Sequence, residues 1–287
     1  MYQIFTDATT DFLPQDVTAL DITVLPMEYV IDGQTYRHTP ADEDLSPNDF
    51  YQAMRQGKMP TTSQIPAAQY EDWFAPVLES GQDLLFICFS SALTGSYNNA
   101  CLAAKEMMEQ YPDRKVLVVD SLAASRGEGL LVEECVALRR QGKSLDYVFN
   151  WAMEARSNIQ HWVTVDDLNH LKRGGRISAA SAVIGGVLGI KPIIRMDEHG
   201  ALVPVDKVRG RKASIDYLVD RFAQSYLPDR GTVYVAHGDC LEDAEYCAKQ
   251  IKEKTGVKNV AITMVGPIIG AHTGPGIVAI LYIGKKQ

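Results

Sequence analysis

Residues Asp83–Gln110 read DLLFICFSSALTGSYNNACLAAKEMMEQ, and this stretch decides the fold class. Leu84 to Phe89 is an unbroken apolar run, the pattern of a strand buried on both faces of a parallel sheet. A helix follows, with Tyr97, Ala100, Cys101, Ala104 and Met108 recurring at helical spacing. Between them lies the hydroxyl-rich loop Ser90–Ser96, whose Thr94 or Ser96 is placed to cap the helix. Strand, loop and helix start bring free backbone N–H groups and the positive end of a helix dipole beside several hydroxyls. That is a receptor for an anion, at the strand end where open α/β sheets bind ligands. Ser and Thr before a helix commonly do no more than cap it, so the loop alone does not separate cap from receptor.

Outward from this unit the pattern repeats. Tyr2–Thr6 is a strand ending in the polar loop Thr6–Asp11; Asp7 and Asp11 lack the D-x-D spacing of a phosphoaspartyl pair and read as capping residues. Ile22–Pro26 is another strand, and Met27–Arg37 a hairpin turning at Asp32-Gly33. Ser46 and Pro47 open a helix that runs to Gly57. Pro60–Pro66 is a second hydroxyl loop, pinned by proline at both ends, before a helix over 67–78. A strand at 115–120 leads into the Ser/Gly loop 120–129 and helices over 130–141 and 145–157. In the second half, strands at 161–165, 190–196, 201–208, 232–236, 260–265 and 277–283 are interspersed with helices at 166–172, 211–225 and 241–255. The small-residue apolar segment 177–188 reads as a closely packed helix or as the wall of a lipid tunnel. The fold class is therefore α/β in two domains: a parallel α/β N-terminal domain over 1–158 and a mixed α/β C-terminal domain over 159–287.

Composition narrows the function. A net charge of −8 argues against nucleic acid and against anionic membrane surfaces as partners. The N-terminus has no signal-peptide pattern and no apolar run reaches a membrane span, which points to a cytoplasmic protein. The five cysteines, with no C-x-x-C, read as reduced thiols. There is no P-loop, dinucleotide fingerprint, G-x-S-x-G or H-E-x-x-H, and the six histidines are scattered, so no metal or cofactor is expected. His272 stands apart, in the Gly/Pro-rich loop Gly266–Gly276 after a buried strand, and is read as functional. Lys172, Arg173 and Arg176 form a basic knot that either satisfies a helix dipole or docks a phosphate or acidic partner.

In order along the chain, Thr6-Asp7, Thr62-Ser63-Gln64, Ser90–Tyr97, Asp120-Ser121, Leu171–Ser178, Ile190-Lys191-Pro192 and Gly266-Pro267-x-x-Gly270-x-His272-x-Gly274-Pro275-Gly276 together resemble the DegV family. Each motif is weak; the ordered set, which spans nearly the whole chain, is specific. The resemblance implies a two-domain protein that buries one long-chain fatty acid in a tunnel at or near the domain interface. It also implies a partner, a fatty acid kinase that phosphorylates the bound carboxylate with ATP, placing this chain in phospholipid metabolism as a binding subunit rather than an enzyme. Carried over residue by residue, Thr62 and Thr94 hold the carboxylate, with Ser63, Ser91, Ser121, the Gly95 N–H and His272 around it, and Arg173 and Arg176 face the kinase or the acyl-phosphate. Thr94 stands where the family often has serine, and keeps the hydroxyl. No transmembrane segment is implied, which leaves room for transient membrane contact. Two rival readings stand beside this one: a stand-alone hydrolase or phosphotransferase using Thr94 or His272 on a small anion, for which no neighbouring base is evident, and a lipid-sensing regulatory module.

Overall fold

In the computed structural model, which describes residues 1–177, 189–228 and 230–285, the run around Leu84 forms a strand at the centre of the first sheet. The strands are β1 (Tyr2–Asp7), β2 (Thr23–Leu25), β3 (Met27–Ile31), β4 (Gln34–His38), β5 (Thr61–Thr62), β6 (Asp83–Cys88), β7 (Val116–Asp120), β8 (Ile159–Thr164), β9 (Ile190–Met196), β10 (Leu202–Arg209), β11 (Val233–His237), β12 (Val260–Met264) and β13 (Val278–Ile283). The helices are α1 (Pro14–Leu20), α2 (Pro47–Arg55), α3 (Ala67–Glu79), α4 (Ser96–Gln110), α5 (Arg126–Arg140), α6 (Leu145–Ala155), α7 (Asn169–Arg173), α8 (Arg211–Ser225), α9 (Leu241–Thr255) and α10 (Pro267–Thr273).

The first sheet, β2-β1-β6-β7, is wholly parallel. Alternation along β6 splits its side chains between two cores. Leu84, Phe86 and Cys88 pack with Tyr70, Phe74 and Ala100 from α3 and α4. Leu85 and Ile87 pack with Leu131, Val132 and Val148 from α5 and α6. Helices on both faces are what a continuous apolar strand requires. The hairpin β3–β4 turns at Asp32-Gly33 as expected, and belongs to a separate antiparallel sheet, β4-β3-β5.

The second sheet, β10-β9-β8-β13-β11-β12, is mixed; β11 and β12 run parallel and the other neighbours antiparallel. Its two faces differ. One carries Trp162, Ile193, Val235 and Ile280 against Phe222, Leu218 and Cys247 of α8 and α9. The other carries a row of register partners, Ala236–Ala279–Val163–Ile194, in which the two alanines leave space above the sheet. Among the described residues no helix is long and apolar enough to cross a membrane.

Several local expectations are corrected. Pro60–Pro66 is not all loop, because Thr61 and Thr62 pair with the free edge of β3. Helix α5 starts at Arg126 rather than Leu130. Gly127 and Gly129 are inside it because a Cβ at Gly127 would strike the His161 ring, and one at Gly129 would crowd Phe12. Helix α4 starts at Ser96 with Gly95 in the capping position, and the Thr94 hydroxyl accepts the Ser96 N–H at 3.1 Å. The short helix expected at 166–172 lies at Asn169–Arg173. His272 is in α10, not in a loop: Gly266 leads in, Pro267 supplies the first-turn residue with no N–H to satisfy, and Gly274 with φ 77° ends the helix. The helix expected at 177–188 falls almost wholly outside the described residues.

Candidate functional site

The space above Ala236 and Ala279 is a cavity of about 300 Å³. Its floor is the second sheet: Val163, Ile194, Met196, Ala236, Ala279 and Leu281. Its walls come from the first half of the chain, with Phe89, Leu93, Ala124 and Ser125 from the loops that leave β6 and β7, and from Ile268 and Ile269 of α10. The lining is mostly apolar, as in binding sites for small hydrophobic ligands.

The polar lining includes Thr62, Ser63, Thr94, Gly95, Arg176 and His272, drawn from β5, the β6–α4 loop, the segment after α7 and α10. Ser63 is exposed, while Thr62, Thr94, Gly95, Arg176 and His272 are half-buried. His272 Nε2 lies 2.8 Å from Thr62 Oγ1. Burial, then the nearby Arg176 charge, push the His272 imidazole down to about 4, so it is neutral at pH 7. For an anionic ligand the productive tautomer carries its proton on Nε2, which donates to Thr62 and frees the Thr62 O–H to point at the anion. Thr94 accepts the Ser96 N–H and has its own proton to give, to Ser96 Oγ at 3.0 Å or to a ligand. Arg176 is held by its Nε–H on the Leu93 carbonyl at 2.9 Å and by a short bond to the Gly174 carbonyl. Its guanidinium lines the cavity; the resemblance had it facing the kinase or the acyl-phosphate. Gly174 has no Cβ because His272 Nδ1 occupies that space.

The loop Ser90–Ser96 is clamped from the second half of the chain at two points. Ser90 Oγ donates to the Gly200 carbonyl in the β9–β10 turn at 2.8 Å, and Arg176 holds Leu93. The remaining expected site residues lie elsewhere. Ser91 donates to Asp120 Oδ2 at 2.5 Å, and the buried Ser121 is turned onto Ala123; neither lines the cavity. Arg173 is exposed and rests on His170 and Met59. Lining residues that the sequence reading missed include Gln64, Ser125, His161 and Thr273. Gln64, Ser125 and Thr273 stood inside stretches already singled out, the Thr62–Gln64 motif, the Ser/Gly loop 120–129 and Gly266–Gly276; no local pattern marked His161. Among the described residues no group of three or more His, Cys, Asp or Glu is placed to hold a metal.

Comparison with known proteins agrees with this architecture. Residues 1–285 match the family described as "Uncharacterised protein, DegV family". A DegV domain-containing protein of Clostridium perfringens is 39% identical over 287 residues, spanning all of this chain and 98% of that one. Among solved structures, a stearic acid-binding protein from Eubacterium ventriosum superposes with a TM-score of 0.87 at 26% identity, covering 98% of each chain. A fatty-acid-binding DegV family protein from Thermus thermophilus does so at 0.84 and 28% identity, also over 98% of each. With its parallel N-terminal sheet, its mixed C-terminal sheet and a match from end to end, the chain belongs to the DegV family.

Proposed function

We propose that this protein binds one long-chain fatty acid, with its tail in the apolar cavity and its carboxylate among Thr62, Thr94, Ser63, the Gly95 N–H and His272, and presents it to a separate fatty acid kinase. The observation that carries the binding reading is an apolar cavity with hydroxyls, an imidazole and a guanidinium in its lining. Fatty acid ligands in structures of the same fold support it. The Thr62 and Thr94 hydroxyls donate to the carboxylate, while the Arg176 charge offsets the cost of bringing the anion out of water. The tail supplies most of the affinity, at roughly 0.8 kcal/mol per buried methylene.

The kinase is carried by the family resemblance, as is a cytoplasmic setting. Exposed Arg173 is a candidate contact for that partner. Division into units 1–158 and 159–287 fits a cavity whose floor and walls come from different parts of the chain. A stand-alone hydrolase gains nothing from the geometry, since an imidazole held near 4 is a weak base at neutral pH.

Mass spectrometry of an organic extract of the natively purified protein tests the binding reading. One equivalent of a long-chain fatty acid is the expected result; an extract that stays empty after incubation with a fatty acid mixture overturns it. Thr62→Val and Thr94→Val should each weaken binding by about tenfold, the worth of one charge-assisted hydrogen bond. Formation of acyl-phosphate with a purified kinase and ATP tests the second step.

A further inference from the structure

Gln64 stands where two spaces meet. With Met27 and Ser63 it lines both the cavity and a smaller surface pocket, whose other walls include the exposed Glu28, Arg37 and Pro66. Its side chain lies over Gly95, which lines the cavity beside Thr94. A Cβ on Gly95 would collide with Gln64 Oε1 and lie 3.1 Å from Gln64 Cδ. Chain neighbours aside, no residue other than Gln64 comes closer to that position than 3.7 Å. Gly95 has φ −79°, on the side of the backbone map open to every residue, so no strain calls for a glycine there. Space alone requires it, and the Gln64 amide fills that space.

The backbone on both sides of Gln64 is pinned. The Ser63 N–H donates to the Glu28 carbonyl at 3.2 Å, the Ile65 N–H to Ser96 Oγ at 3.1 Å, and the Asn99 amide to the Ile65 carbonyl at 2.8 Å. The Gln64 side chain is not pinned. It is exposed, and among the described residues its amide has no hydrogen-bond partner. A flexible side chain on a fixed base leaves Gly95 by changing rotamer, one of the fastest motions of a folded chain.

We propose that Gln64 is a gate at the head-group end of the cavity. Resting on Gly95, its amide shuts the cavity off from the surface pocket; rotated away, it opens the path by which a carboxylate ligand enters and leaves. The gate sets the rate of exchange through the fraction of time it stands open. The proposal rests on the fatty acid reading above and adds the route to that site.

Stopped-flow fluorescence tests it, following uptake of a fluorescent fatty acid and its release into excess stearic acid. Gln64→Ala should speed both rates by about tenfold, the bias that the dispersion contacts of one amide give the closed position. Entry and exit share the path, so their ratio, Kd, should move by less than about twofold. Gly95→Ala should speed release by a similar factor, because the new methyl group displaces the amide. In the double variant that methyl group meets no side chain, so release should be no faster than in either single variant, whereas independent effects would multiply to about a hundredfold. The double variant also relieves the crowding of a Gly95→Ala chain that folds poorly, and recovery of its fold is the expected result. Wild-type rates in Gln64→Ala overturn the proposal. A weakened Kd with unchanged uptake overturns it too, by making Gln64 a direct ligand contact, as does multiplication in the double variant. If the wild type takes up no fatty acid, the fatty acid reading itself falls, and the gate with it.

Discussion

Two hydroxyl-rich loops leave the adjacent parallel strands β1 and β6 at the same edge of one sheet, and they end differently. The loop after β1 is closed on itself. Thr6, Asp7, Thr9 and Thr10 are fully buried, as is Glu128 of α5. Burial and then Asp7 raise the Glu128 carboxyl well above its ordinary range. Thr9 Oγ1 lies 2.5 Å from Asp7 Oδ1 and 2.7 Å from Glu128 Oε2, and Asp7 Oδ2 accepts the Phe89 N–H at 3.1 Å; one hydroxyl proton cannot serve both carboxyls, so a proton on Glu128 completes the set. Each of these groups has a partner, and none faces the cavity. The loop after β6 is likewise rich in hydroxyls, but Thr94 and Gly95 open onto a void. A cluster of hydroxyls becomes a binding site through the space beside it, and the residue types alone do not decide the outcome.

Filling that space should therefore abolish the difference between the loops. Ala279→Phe would place a ring on the cavity floor, where about five tail methylenes would otherwise lie. At roughly 0.8 kcal/mol each, this costs about 4 kcal/mol, near a thousandfold in fatty acid affinity. Fluorescent-ligand displacement reads it, and undiminished binding would show that the tail lies elsewhere.

The closed loop should answer to pH instead. Burial opposes charge on His38, but the Asp11 and Asp42 carboxylates outweigh it and raise the ring to about 9. A group raised in the folded state stabilises fully below its unfolded value of roughly 6.5, and that stability is lost as pH rises through the folded value. Urea unfolding should show a decline on the order of 3 kcal/mol between pH 6.5 and 9. His38→Gln should flatten it; an unchanged slope would place the titrating group elsewhere.

The smallest effect sharpens the protonation assignment. Glu128→Gln keeps a donor for Thr9 and an acceptor for Thr6, and should cost less than about 1 kcal/mol, whereas Glu128→Ala leaves both hydroxyls unpaired and should cost about 3 kcal/mol. A Gln variant as damaging as the Ala variant would mean that Glu128 is ionised.

Much of the fold was legible because burial on both faces forces a continuous apolar strand, as at Leu84–Phe89. The short elements were harder. β5 is two residues long, set by a free edge on β3 rather than by propensity. α10 was obscured by its own glycines, although Gly266-Pro267 and Gly274 are a start and a stop signal for a short helix. Within the site, Thr62, Thr94 and His272 could be picked out, yet Ser91 could not be told from Thr94, because Asp120, 29 residues away, takes its hydroxyl. The contact of His161 with Ala124 depends on β8 packing against the start of α5, which no local pattern encodes.

Strand β13 follows β8 and β11 in sequence and lies between them in the sheet. On a ribosome, both flanking strands emerge before the strand that joins them, and Ala279 arrives with the last of the three. A nascent chain thus lacks the middle of the cavity floor, Ala279 and Leu281, until residues beyond 277 have been made and threaded home. The order of synthesis leaves the cavity open until β13 is in place, and the long-range insertion of that strand would time its appearance.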